Sequence, residues 1–187
     1  WAVGNDGLAL RSTAAAVKLI KYWDKKAAAI GLGVLKDHYK VGSRRFIDKD
    51  SARLKLVATE VPVTTGGRLG DIFQEWAVRH AQTHMGNFFN NTRVLFFSGM
   101  TDYKLALSMG EFTSNLQFAD PLMQLGVPKL LGSLDALNLY ANGAHYVKDW
   151  TLPAAMASGP VKEWTRFVLR KAMQKASVIV APVHELD

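Results

Sequence analysis

LALRSTAAAVKLIKYWDKKAAAIGLGVLKDHYKV, residues 8–41, carries the strongest periodic signal in the chain. Apolar or small residues fall at Thr13, Ala16, Ile20, Trp23, Ala27, Ile30 and Val34, three or four apart. That spacing predicts one stripe of a long amphipathic helix. Lys18, Lys21, Lys25, Lys26, Lys36 and Lys40 fall mostly off the stripe, so the exposed face is basic. Gly31 and Gly33 each cost about 1 kcal/mol against alanine in a helix interior, and are read as a kink or the close approach of a second helix. Gly42 suits a left-handed terminus.

Outward from this stretch, residues 43–53 (SRRFIDKDSAR) read as a charged connector and TTGGRLG, 64–70, as a loop. A second helix is predicted from near Asp71, with Leu69, Ile72, Phe73, Trp76, Ala77, His80, Ala81 and His84 on one face. RVLFF, 93–97, either continues that stripe or forms a buried strand, because periodicity does not separate the two in so short a run. The second half is punctuated by proline. Asp120-Pro121, Val127-Pro128 and Pro160 suit helix starts, where the missing N–H costs nothing. Asn142-Gly143 suits a helix end. In the last helix Val161, Trp164, Phe167, Val168 and Ala172 are expected to point inward, with Lys162, Arg166, Arg170 and Lys175 outward. Core packing is likewise expected of Trp76. The expected fold is mostly α: a single domain, residues 1–187, in which a long N-terminal helix packs on shorter helices with a few short strands. Residues 1–53 are its basic helix and connector. The alternative is α/β, with strands in 54–63, 93–97 and 178–183.

Composition narrows the chemistry. With 187 residues the chain can bury a core without staples. It contains no cysteine, which excludes disulfides, thiolate metal sites and cysteine nucleophiles. No apolar run approaches the roughly 18 residues that a membrane span needs. The net charge of +7 is uneven: residues 1–55 hold twelve Lys/Arg against five acids, and the remainder sums to zero. An asymmetric basic region points to an anionic neighbour such as RNA, anionic lipid or an acidic protein face.

Four constellations are candidates for function. His80 and His84, four apart on one helix face, have the spacing of a two-point metal clamp, although Ala81 stands where a metalloprotease helix carries glutamate. Gly66, Gly67, Arg68 and Gly70 form a glycine loop at a helix start, which suits a phosphate, without the lysine of a P-loop or the spacing of a dinucleotide fingerprint. Arg44, Arg45, Lys49 and Arg53 are the best anion- or RNA-contact cluster. Trp23, Gly31, Gly33, Phe88 and Phe89 are candidates for a partner interface, as are Trp1 and Trp150.

No nucleophile elbow, kinase set or serine triad order is present. No catalytic residue and no cofactor is assigned. The expectation is a non-catalytic accessory or scaffold subunit of a larger assembly, with other protein subunits as partners. Its basic charge, its lack of cysteine and a start at Trp1, read as a processed N-terminus, are compatible with an organelle. A peripheral subunit of a mitochondrial respiratory or ATP synthase complex is one such setting, and the cytoplasm is the alternative. The other functional readings are an RNA- or ribosome-associated basic protein, and a small enzyme built on the glycine loop or the histidine pair.

Overall fold

The computed structural model describes residues 13–33, 36–147 and 159–181. Val34 of the N-terminal stripe and the candidate anchors Trp1 and Trp150 lie outside them. The fold is mixed and α-rich, with seven helices and seven strands of two to four residues among the described residues. It divides into two compact units, residues 1–38 with 47–70 and residues 39–46 with 71–187.

In the first unit the expected long helix is corrected. Among the described residues helix α1 covers Thr13–Trp23 and ends there. Ala16 and Ile20 are buried against Leu54 of α2 (Lys49–Lys55), as the stripe predicts, but Trp23 is exposed. Beyond it, Ile30 and Leu32 reach the same apolar cluster with a spacing of two rather than three or four. They do so because β1 (Ile30–Gly31) pairs in parallel with β4 (Val63–Thr64), Ile30 opposite Val63. Gly31 and Gly33 each cost a helix about 1 kcal/mol, and Gly33, with φ of 72°, takes a left-handed conformation that no right-handed helix contains. A Cβ at either position would meet nothing within 4 Å, so no close helix neighbour explains them. The turn out of α1 is held by Asp24. Its carboxylate accepts the backbone N–H groups of Thr59 at 2.9 Å, Glu60 at 3.0 Å and Val61 at 3.2 Å. The connector is also more ordered than its composition suggests: Asp48 caps α2 by accepting the N–H of Asp50 at 3.0 Å.

The second unit is built on a three-stranded parallel sheet in the order β6-β5-β7. Central β5 (Val94–Phe96) pairs with β6 (Leu116–Phe118) on one side and β7 (Val178–Val180) on the other. Residues 93–97 are therefore the buried strand of the two readings, and the α/β alternative holds for this part of the chain. Every residue from Val94 to Phe97 is buried, the pattern of a parallel strand covered on both faces. Alternate side chains serve the two faces. Val94 and Phe96 pack with Val78 of α3 (Gly67–His84), Leu105, Ala106 and Met109 of α4 (Tyr103–Gly110), and Leu137 and Ala141 of α6 (Leu134–Val147). Leu95 and Phe97 pack with Leu169 and Ala172 of α7 (Gly159–Lys175). The chain winds from β5 through α4 to β6, then through α5 (Asp120–Leu125), α6 and α7 to β7. Centre, one side, other side is the order in which a doubly wound sheet begins.

The outer edge of β6 is closed by Leu131, which exchanges two backbone hydrogen bonds of 2.8 and 2.9 Å with Phe118. A hairpin of β2 (His38–Val41) and β3 (Arg44–Ile47) sends Val41, Tyr39 and Phe46 into the larger core. Gly42 is left-handed, with φ of 57°, at the tip of this hairpin rather than at a helix end. Helix α6 runs through Asn142-Gly143, so that pair is not a terminus.

Candidate functional site

In open parallel sheets ligands meet the loops at the carboxyl ends of the strands. Here the loop after β5 is held by the protein's own carboxylate. Asp120, first residue of α5, is fully buried. Its two oxygens accept the N–H groups of Gly99 and Met100 in the loop after β5, each at 2.9 Å. Gly99 is required by this closeness: a Cβ there would lie 2.2 Å from the Phe118 ring and 3.0 Å from Asp120 Oδ2. Burial is the largest influence on Asp120. Together with the charge of Asp102 it outweighs the two donated hydrogen bonds and pushes the carboxyl up to about 6. Tyr140 on α6, pushed up to about 12 by burial and by the charge of Asp120, donates to Gln124 Oε1 at 3.2 Å. The N–H groups of Gly99 and Met100 are thus already engaged, and Asp120 acts as an internal clamp on this loop.

Helix α3 is different, because its faces are inverted. Its inner side is Asp71, Gln74, Val78, Ala81 and Gln82, of which only Val78 and the small Ala81 are apolar. Lys104 bridges Asp71 at 3.0 Å. Buried Gln82 accepts the N–H of Phe89 at 2.8 Å and donates to Asn90 Oδ1 at 2.7 Å. The opposite stripe is apolar and faces out: Ile72 is 57 % exposed, Phe73 62 % and Trp76 61 %. The rings of Trp76, His80 and His84 continue it as a stacked ladder, with centroids 4.8 and 4.0 Å apart. His84 Nδ1 donates to the carbonyl of His80 at 3.1 Å, which fixes the tautomer of that ring. Charge beside the stripe is compensated, since Arg79 reaches Glu75 at 3.4 Å and Glu111 at 3.1 Å. The expectation that Trp76 is a core residue is therefore corrected. Apolarity alone selects the wrong face of α3, because the inner face is held by hydrogen bonds and an ion pair that leave no periodic trace.

The structure distributes the other candidates as follows. His80 and His84 are neighbours on the exposed ladder, and among the described residues no group of three or more His, Asp or Glu is placed to hold a metal ion. In the glycine loop two of the N–H groups turn to its own threonines, Gly66 to Thr64 Oγ1 at 3.4 Å and Gly67 to Thr65 Oγ1 at 3.5 Å. Gly67, Arg68 and Gly70 form the first turn of α3, which starts four residues before Asp71. Arg44 and Arg45 lie on β3 in the second unit, while Lys49 and Arg53 lie on α2 in the first. Phe88 is exposed, and it meets buried Phe89 edge-on at 5.0 Å. Sequence reasoning missed Asp120 as a clamp. The available signal was the short alternating run LQFA, 116–119, followed by an acid and a proline, a pattern that suits the end of a strand.

Residues 68–187 match the family model described as Domain of unknown function (DUF8754), and the chain belongs to that family. Residues 9–65 are similar to the model described as Domain of unknown function (DUF8753). No curated protein and no solved structure matches the chain.

Proposed function

We propose that this DUF8754 chain is a non-catalytic accessory subunit that docks a partner protein on the outer face of α3. The observation that carries this is the inversion of the helix, with polar residues turned in and Ile72, Phe73 and Trp76 turned out. Contiguous exposed apolar surface of this kind marks an interaction site. The compensated charge of Arg79 favours an apolar protein surface over nucleic acid or anionic lipid. Covering the three side chains would contribute on the order of 5 kcal/mol before the costs of association. No helix among the described residues is long and apolar enough to cross a membrane.

The test places a photo-crosslinking residue at Phe73 and, as a control, at Glu163 on α7. The crosslinked protein is then purified and its affinity measured for the wild type and for Phe73→Asp/Trp76→Asp. The expected result is an adduct from position 73 alone and at least a hundredfold loss of affinity in the variant. Equal adducts from both positions, or unchanged affinity in the variant, would overturn the reading.

A further inference from the structure

A second outward face lies on α7, and its chemistry is unlike that of α3. The inner side of α7 is fixed to the sheet: Ala172 is buried, Val161, Val168 and Leu169 are half-buried, and Thr165 donates to the carbonyl of Gly126 at 3.1 Å. The helix cannot roll, so the residues facing out are set by its periodicity. Trp164 and Phe167, expected inward, are 57 % and 47 % exposed. Their rings pack on each other at 5.7 Å, and Lys171 Nζ sits 5.0 Å from the Phe167 ring. Positions 164, 167, 171 and 175 follow one another at spacings of three and four, so the two aromatics and the two lysines form one flank. Lys162, Arg166 and Arg170, four apart, form the other. Helix α7 carries five cations and one acid, Glu163, which meets Arg166 at 3.6 Å.

We infer that the outer face of α7 binds the surface of an anionic lipid bilayer. Exposed Trp and Phe among Lys and Arg, on a helix held against a domain, are what interfacial contact requires: apolar bulk for the acyl boundary, cations for the headgroups. Charge complementarity requires an anionic occupant. Lipid fits better than single-stranded nucleic acid, because base stacking needs open ring faces and here the rings pack on each other with Lys171 over Phe167. This site is independent of the α3 face, since α3 and α7 pack on opposite faces of the sheet.

The experiment is flotation of the full chain with vesicles of phosphatidylcholine, alone or with one third phosphatidylserine, at low salt. The wild type is expected to float with the anionic vesicles and not with the neutral ones. Lys171→Glu/Lys175→Glu and Trp164→Ser/Phe167→Ser change exposed positions, so both are expected to keep the wild-type melting temperature and to lower the bound fraction at least tenfold. Phe73→Asp/Trp76→Asp is expected to float like the wild type, which separates this site from the docking face. Failure to float with anionic vesicles, or wild-type flotation of both α7 variants, would overturn the inference. It would also be overturned if a single-stranded RNA oligonucleotide displaced the vesicles and bound through the same four residues.

Discussion

The carboxylate of Asp120 accepts the backbone N–H of Met100 at 2.9 Å, and through its other oxygen that of Gly99. One side chain at the end of β6 thereby holds the loop that leaves β5. Asp120→Ala would leave two donors without their acceptor in a buried setting. A loss of about 3 kcal/mol is expected, since each unsatisfied buried group costs about 1–3 kcal/mol and the buried charge is removed at the same time. The midpoint of urea unfolding measures it.

The same group gives the second unit an unusual response to pH. With its pKa raised from 3.8 to about 6, Asp120 binds more protons in the folded than in the unfolded state across that interval. Stability of the second unit should therefore fall as pH rises from about 4 to about 6. The first unit responds in the opposite sense. The N–H of Thr59, outweighing burial together with those of Glu60 and Val61, lowers the pKa of Asp24. The hydrogen bond from Lys55 does the same for Asp37. Their contributions are present above the unfolded value of 3.8 and are lost as pH falls through the lower folded values. Hydrogen exchange read separately over 49–64 and 94–120 at several pH values should show the two trends. Parallel trends would contradict the assignment.

Two glycines should respond oppositely to alanine. Gly99→Ala drives a methyl group into the Phe118 ring and is expected to cost about 3 kcal/mol, the upper part of the range for overpacking a core. Gly31→Ala meets open space on a strand and should change stability by less than about 0.5 kcal/mol. Thermal melts of the two variants compare them directly.

Gln82 fastens the end of α3 to the turn that carries Phe88 and Phe89. Gln82→Leu keeps the volume but strands the N–H of Phe89, at an expected cost of about 2 kcal/mol. The variant should also lose amide protection at Phe89 before the sheet does. Uniform loss across the unit would contradict a local role.

What could be read from the chain depended on how each residue earned its place. Ala16 and Ile20 are buried by the apolar stripe that predicts them, and Pro121 and Pro160 open helices for the backbone reason given. Ile30 fits both the helical stripe and the period of two that it shares with Leu32, and β1 is chosen by pairing with residues 63–64, more than thirty positions away. RVLFF has no polar partner residues to set a period, so only its neighbours Leu116–Phe118 and Val178–Val180 decide that it is a strand. Trp76 and Trp164 show the limit of hydrophobicity as a guide to burial: each lies on the outer side of a helix whose inner side is held by other means. The excess charge of α7 does not show in the sum over residues 56–187, which is zero because acids elsewhere in that stretch offset it.

The hairpin of residues 39–46 belongs to the larger unit although segments of the smaller one flank it on both sides. Neither unit is thus a continuous piece of the chain, and the match to the second family at 9–65 cuts across the physical partition. A gene fragment encoding 68–187 alone would yield a body missing the Val41 methyl groups and the Tyr39–Phe46 ring pair from its interior. The boundary between the two matched regions is therefore not the boundary between the two compact units. The larger unit takes part of its interior from the segment that the other family model matches.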